Sequence, residues 1–546
     1  MQKAILSFVC LGLVRALTAG EVSGIRHFAV DATKPGKALP NPSQTLVSWR
    51  LPAETASCRP THPEWNVLDF AEYVEVMAAT GGNPERDCYR RHDDKSVLDD
   101  YDFDRLVRSC RHIRGMGLRP YLKLGNVPRK LSTKVGGGNY TINTSPPDDF
   151  AAYGRYMEAC AKALLAAFGH EDVLKWRFAV LTEYENDGWF KDPSGDPEKS
   201  FRAYCRLYET TALAFVKVLS PDVDIGIHAM AVTEGQWDER RFFAFAAEKR
   251  LPLKFATVSF YDTKPGVPTG GLSLPRDLAH IRAAAEKAGF ANLRYAVDEG
   301  RLLCGVAGGS GSSELALRVV GDTYQAAFDA RVVKQLFDAG ADYFAAWGYF
   351  SGPHTWFEGL PSVSFHVARE AARFKGLLRL GVTAEGAPKP GIESEAVAAV
   401  SPDGQMLRVM AYAFTNDLRA TGLVPVRMTV KLPTSWAGKT AAVRRCRVDD
   451  DANWYDEWRA ERARRGIGDN RFSWSPDDPA TCDRRGLQSP EDLRLFRKEL
   501  EPVFCDKARL WWTDEHRQVG SDGVLELRDE LPVNAVLFWE MGETAK

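Results

Sequence analysis

Between residues 100 and 380 the chain alternates between two hydrophobic periods. Short runs rich in β-branched and aromatic residues are followed by longer runs whose apolar positions recur three and four apart. Strands of a parallel sheet joined by crossover helices read this way. The pattern predicts strands over 119–125, 175–181, 223–229, 255–261, 293–297 and 343–347. It predicts helices over 102–116, 148–168, 199–219, 237–249, 274–288, 313–339 and 365–377. Gly117 closes the first helix as a C-cap would, and Ser220-Pro221 ends the third. Runs at 45–49 and 73–79 supply two earlier strands, giving the eight that a (β/α)8 barrel needs. A doubly wound open sheet is the competing arrangement. No Gly-rich phosphate loop follows the first strands, which counts against it.

After about residue 380 the rhythm changes. Runs at 396–400, 406–414, 424–432, 441–447, 524–527 and 535–541 read as strands of an antiparallel sheet. A charged insertion, 449–517, is rich in Arg, Asp and Trp, with a helix expected near 489–500. The stretch 25–38 is expected to add an edge strand to the sandwich. The fold class is therefore α/β: a (β/α)8 TIM barrel over 41–380 and an antiparallel β-sandwich over 381–546, with 21–40 joining that sandwich.

Residues 1–20 have the features of a signal peptide: Lys3, an apolar run from Ala4 to Val14, then small residues from Ala16 to Gly20. Cleavage near Ala19 and a secreted or periplasmic protein are expected. Arg15 cuts the run too short to span a bilayer. No later stretch approaches 18 apolar residues, so membrane insertion is not expected.

Lys+Arg 71 against Asp+Glu 73 gives a net charge of -2, which offers no footprint for nucleic acid. Aromatic residues make up 11%, enough to line a sugar cleft as well as a core. The ten cysteines contain no CxxC pair, so a zinc or iron–sulfur site is not expected. Cys110, Cys160 and Cys205 fall in helical patterns and are expected in the core. Cys58 with Cys88, and Cys482 with Cys505, are the candidate disulfides. Sequons at Asn139 and Asn143 lie beside Gly136 to Gly138, on an expected surface loop.

Catalytic groups of such barrels sit at the C-terminal ends of the strands. The strand over 175–181 is followed by Thr182, Glu183, Tyr184, Glu185 and Asn186. The strand over 293–297 is followed by Asp298, Glu299, Gly300 and Arg301. These are positions four and seven of eight, so Glu183 and Glu299 can face one bound sugar. Glycosidic cleavage requires two such carboxyls, one to protonate the leaving oxygen and one to meet the anomeric carbon. A separation of about 5–5.5 Å allows direct attack and retention, and about 6.5–9.5 Å admits a water and inverts. The rival readings are a structural Glu183 with Glu185 as the acid, and a Glu299 paired to Arg301.

The run from Phe168 to Asn186, with Trp176, Phe178 and Thr182-Glu183, resembles glycoside hydrolase family 39 of the clan A barrels. Gly117 to Pro128 is similar to that family's third-strand segment, and Val258-Ser259-Phe260-Tyr261 to its sixth-strand end. The resemblance covers about residues 100 to 350. It implies a retaining β-xylosidase or α-L-iduronidase relative, with Glu183 the acid/base and Glu299 the nucleophile. Tyr261 would then hold the nucleophile and Trp347 would floor the sugar subsite. His228 and Asn126 would contact hydroxyls. Thr182 stands where the family has an Asn that meets the sugar, Tyr184 where it has Pro, and Ser259 where it has His.

The expected function is a secreted retaining glycosidase acting on an oligo- or polysaccharide, with no metal and no organic cofactor called for. A barrel that binds glycan without cutting it is the alternative. A metal hydrolase would need several ligands at strand ends, and His228 alone is offered. Sugar, linkage, exo or endo action and oligomeric state are left open.

Overall fold

The computed structural model describes residues 25–48, 62–138, 141–230, 235–262, 274–302, 323–346, 349, 359–386, 389–415, 420–454, 457, 460–461, 464–465 and 496–543. The first strand, β1 (Arg26–Asp31), belongs to the C-terminal sandwich and is taken up with it below. Eight parallel strands follow: β2 (Thr45–Ser48), β3 (Tyr73–Val76), β4 (Arg119–Leu124), β5 (Arg177–Val180), β6 (Asp224–Ala229), β7 (Phe255–Asp262), β8 (Arg294–Leu302) and β9 (Phe344–Ala346). They are hydrogen-bonded in chain order. Phe344 N donates to Pro42 O at 2.8 Å, which brings β9 back to the segment leading into β2. The chain thus forms a TIM barrel.

The helices are α1 (Asp104–Gly115), α2 (Phe150–Phe168), α3 (His170–Val173), α4 (Pro197–Val218), α5 (Arg241–Glu248), α6 (Leu274–Lys287), α7 (Thr323–Ala339) and α8 (Val363–Ala372). Their ends follow from local chemistry. Asp149 caps α2 by accepting from Ala151 N. Asp196 caps α4 by accepting from Glu198 N and Lys199 N, with Pro197 in the first turn. Packing of the helices on the outside of the barrel leaves β3, β5 and β9 buried along their whole length.

The sandwich strands are β10 (Leu378–Leu380), β11 (Val382–Glu385), β12 (Glu393–Val400), β13 (Met406–Phe414), β14 (Leu423–Lys431), β15 (Thr440–Val448), β16 (Thr513–Gln518), β17 (Val524–Pro532) and β18 (Val536–Glu543). One sheet runs β11-β1-β14-β17 and the other β10-β12-β13-β18-β15-β16. β1 lies parallel to β14 and antiparallel to β11. Along β14 the buried positions Val424, Val426, Met428 and Val430 alternate with wetter ones, the period-two signature of a sheet packed on one face. They meet Val409, Ala411, Leu537 and Trp539 of the facing sheet.

The other face of the six-stranded sheet turns toward the barrel. Met410, Tyr412, Phe414 and Phe538 share one core with Phe328 of α7 and Phe365 of α8. Arg408 of β13 is fully buried at this junction, bound to Glu370 of α8 and Glu540 of β18.

The structure departs from the sequence expectations in places. β16 lies inside the stretch expected to be a charged excursion. Its sequence, TDEHRQ, has no apolar alternation, because as an edge strand it pairs through its backbone and stays wet on both faces. Near the expected helix at 489–500, residues Phe496–Leu500 form a single π-helical turn that leads into a short helix, α9 (Glu501–Phe504). Neither expected disulfide forms: Cys88 and Cys505 are free thiols. Cys88 Sγ is buried against Arg86 O at 3.5 Å, and Cys505 faces His62. Cys58 and Cys482 lie outside the described residues. Cys110, Cys160 and Cys205 are buried core thiols. No helix among the described residues is long and apolar enough to cross a membrane.

Candidate active site

Glu183 stands in the turn after β5, and Glu299 stands within β8, which runs on to Leu302 where the sequence pattern ended it at 297; each is placed by a local irregularity. After β5 the chain turns sharply. Leu181 N still donates to Leu124 O of β4 at 2.7 Å, and Tyr184 N donates to His228 O of β6 at 3.1 Å. Between these anchors Leu181 (φ 69°) and Glu183 (φ 44°) both take left-handed backbone. Each such residue costs on the order of 1–3 kcal/mol and persists where its surroundings over-determine it. Gly125 makes the turn possible. A Cβ there would lie 2.9 Å from Val180 Cγ1 and 3.2 Å from Leu181 Cγ.

In this turn Glu183 is held by its own downstream residues. Asn186 Nδ2 donates to Glu183 Oε2 at 2.8 Å and Trp189 Nε1 donates to the same oxygen at 3.1 Å.

β8 carries a bulge. Val297 pairs with Val258, but the next pair is Glu299 with Ser259, so Asp298 is an extra residue. Bulges re-aim side chains beside active sites. Here two consecutive carboxyls face the barrel interior: Asp298 at the level of Thr257, and Glu299 one step nearer the mouth, where Ser259 Oγ donates to its Oε1 at 3.3 Å.

Glu299 Oε2 is buried with no hydrogen-bond partner among the described residues. Burial lifts the Glu299 carboxyl well above the usual range. The neighbouring Glu183 carboxyl lifts it further, and Glu75 adds to this while Lys123 opposes it. Oε2 of Glu183 is thus occupied by two donors, while its other oxygen is left for a further partner.

The match to known proteins fits this geometry. The family model of glycosyl hydrolases family 39 covers residues 85–399, more than half of the chain and both glutamates. The chain belongs to glycosyl hydrolases family 39. A beta-xylosidase of Geobacillus stearothermophilus is 25% identical over 284 residues, 49% of this chain and 51% of the relative. A beta-xylosidase of Caldicellulosiruptor saccharolyticus is 24% identical over 177 residues, 32% of this chain and 34% of the relative. The chain thus spans about half the length of the first curated relative it matches and about a third of the second. A family 39 enzyme of Xanthomonas axonopodis pv. citri shares the fold with a TM-score of 0.63 at 16% identity, over 96% of this chain and 98% of that one. A monomeric beta-xylosidase of Caulobacter crescentus does so with a TM-score of 0.63 at 15% identity, over 95% and 100%.

Within this family 39 chain the other candidate residues are placed as follows. Asn126, after β4, is buried, and neither amide atom has a partner among the described residues. Thr182 is buried and gives its hydroxyl proton to Met77 Sδ at 3.0 Å, which leaves it an acceptor only. His228 is fully buried and its Nε2 lies 2.9 Å from Ser259 Oγ. Tyr261 is the penultimate residue of β7, but its side chain lies outside the described residues, as does Trp347. Glu185, the rival acid, accepts from Met230 N at 2.6 Å and is sealed under the loop at Gly235. Burial first, then Glu239 and Glu183, raise its carboxyl well above the usual range, so it is neutral.

Beneath the glutamates the barrel interior holds a polar network that the sequence reading missed. Lys123 of β4 binds Asp298 and lies 3.2 Å from Glu75 of β3, all three fully buried. Tyr121 and Tyr343 donate to Asp298 at 2.6 Å each, and Thr257 at 2.5 Å. Burial works against an ionised Asp298, but the Lys123 ammonium and these donors hold it below the usual range. Burial lifts Glu75 well above the usual range. The trio therefore balances one ammonium against one carboxylate. Glu75, His228 and Asp298 offer ligand atoms within 4.8 Å of one another, as a cation site would, and an ammonium of the chain already serves there.

Proposed function

We propose that the chain is a retaining glycosidase working by double displacement. Glu299 attacks the anomeric carbon while Glu183 protonates the leaving oxygen, and Glu183 then deprotonates a water that releases the sugar. The observation that carries this reading is the placement of two carboxyls in the barrel mouth, Glu183 in the turn after β5 and Glu299 on β8, near enough that Glu183 raises the Glu299 carboxyl. Their separation distinguishes retention, at about 5–5.5 Å, from inversion, at about 6.5–9.5 Å. Asn126, with both amide atoms unpartnered, supports a role in meeting a sugar hydroxyl. The curated relatives are beta-xylosidases, which makes a β-xyloside the first substrate to try. We also propose export with removal of residues 1–20, which N-terminal sequencing of the mature protein checks.

The test uses aryl glycosides, beginning with 4-nitrophenyl β-D-xyloside and extending to other 4-nitrophenyl sugars. Glu183→Ala is expected to lose about 100- to 10,000-fold in turnover on poor leaving groups, the usual worth of a general acid. It should lose far less on activated ones, and azide should restore turnover with net retention. Glu299→Ala should be inactive, with azide giving the inverted product. Glu185→Gln, an isosteric swap of a neutral buried acid, should keep turnover. Glycan binding by the wild type with no cleavage of any sugar in the panel would replace this reading with that of a binding barrel.

A further inference from the structure

Ser259 and His228 have a relation to Glu299 that the double-displacement reading does not use. β7 and β8 run side by side with Ser259 opposite Glu299. Ser259 Oγ donates to Glu299 Oε1 at 3.3 Å, and His228 Nε2 reaches Ser259 Oγ at 2.9 Å. A serine hydroxyl has one proton. With that proton given to Glu299, the 2.9 Å contact to His228 can have only the ring Nε2–H as its donor.

The surroundings enforce that arrangement. His228 Nδ1 has no hydrogen-bond partner and lies 3.8 Å from Asp298 Oδ2. Asp298 is already satisfied by Lys123, Tyr121, Thr257 and Tyr343, so it makes no demand on the ring. Burial first, and then the Lys123 ammonium, keep the imidazole neutral. A neutral ring has one hydrogen, and Ser259 is the acceptor within reach of Nε2. The backbone of the same residue accepts from Tyr184 N, directly after Glu183. His228 therefore touches the supports of both glutamates.

We propose that Ser259 is the positioning residue of the nucleophile, fixing Oε1 of Glu299, and that neutral His228 acts only through Ser259 by fixing its hydroxyl. The inference rests on Glu299 being the nucleophile. It gives His228 a role below the sugar rather than against it.

Among the described residues, the groups that face Glu299 are Glu183 from the turn after β5, Glu75 from β3, Lys123 from β4 and Ser259 from β7. Removing the Ser259 donor takes a hydrogen bond from the ionised form of Glu299. Such a bond to a charged group is worth about 10- to 100-fold in an equilibrium. Ser259→Ala should therefore lower kcat/KM by that factor and move its acid limb to higher pH, while Ser259→Thr keeps both near wild type. His228→Leu should reproduce Ser259→Ala, and His228→Gln, whose amide can donate from a similar place, should recover most of the loss.

The decisive variant is the double one. Ser259→Ala/His228→Leu should be no worse than Ser259→Ala alone. A further loss on adding His228→Leu, or an acid limb that Ser259→Ala leaves in place, would overturn the inference. A titration of the 13C-labelled carboxyl of Glu299, identified by its loss in Glu299→Gln, asks the same without turnover. Its midpoint should rise in Ser259→Ala, and an unmoved midpoint also overturns the proposal. An active Glu299→Ala would instead sink the double-displacement reading itself. An inactive Glu299→Ala beside normal Ser259 variants would sink this inference alone.

Discussion

Replacing Lys123 with Met tests whether the barrel interior is held by one internal ion pair. Lys123 and Asp298 are both fully buried, and the ammonium is the cation bound to that carboxylate. The variant leaves Asp298 with Tyr121, Thr257 and Tyr343 as donors and no compensating charge. It can fold with the carboxylate unpaired, at about 3–5 kcal/mol for a buried pair broken on one side. It can instead fold with Asp298 protonated. From an ordinary value of about 3.9 that costs about 4 kcal/mol at pH 7 and about 1.5 kcal/mol at pH 5. The cheaper route wins, so the loss should be about 3–4 kcal/mol at pH 7 and about 1.5 kcal/mol at pH 5. For a barrel of this length that is a fall in Tm of roughly 4–6 °C at pH 7, narrowing to about 2 °C at pH 5.

The direction follows from linkage. In the wild type Asp298 is held at about 2, so its stabilisation is the same at pH 7 and pH 5 and fades only below its ordinary value. In the variant a protonated Asp298 has a value raised above the ordinary one, so its cost is largest at pH 7 and shrinks as pH falls toward that ordinary value. Lys123→Met/Asp298→Asn should recover most of the loss at pH 7. Thermal scans of the three proteins at both pH values, at one scan rate, supply the measurement. A Tm gap independent of pH, or a double variant no better than Lys123→Met, would refute the reasoning.

Two further variants follow from the geometry. Gly125→Ala should cost about 1–3 kcal/mol of stability, since φ is 92° and the new Cβ meets Val180 Cγ1 at 2.9 Å. Because the strain falls on the Leu181–Glu183 turn, kcat should drop more than KM rises, and equal changes in both would count against it. Arg408→Met should cost about 3 kcal/mol, the low end for a broken buried pair, because Glu370 keeps Arg373 at 3.3 Å. Adding Glu370→Gln should recover part of that loss in a denaturant titration, and no recovery would show that the arginine acts through packing instead.

The barrel was legible because its strands and helices differ in period, and that difference survives in a single chain. That Glu183 and Glu299 lie on the fourth and seventh barrel strands or the turns after them was legible from strand counting alone, although Glu299 proved to lie within β8 rather than beyond it. What places them was not. Left-handed backbone at Leu181 and Glu183 leaves no mark in residue type, since neither is Gly or Asn. The bulge at Asp298 is invisible for the same reason, and it is what turns two consecutive acids inward. β16 was missed because an edge strand has no apolar face to announce it.

The interior network shows how far the alternation could have been pushed. Tyr73 and Glu75 on β3, Tyr121 and Lys123 on β4, and Thr257 and Ser259 on β7 are polar residues two apart on strands of the barrel. In a sheet with one wet face such residues point to water. In a barrel jacketed by helices the outer face is apolar, so the polar face has only the interior to occupy. Lys123 in RPYLKLG therefore implied an internal partner before any coordinates, and the acids able to reach it lie on barrel strands: Glu75 and Asp298. The same logic reaches the active site. Burial first, and then the Lys123 ammonium, keep His228 neutral, and the same ammonium opposes the burial that raises Glu299. The layer that looks like a packing oddity thus acts on the charge of the two groups that lie above it.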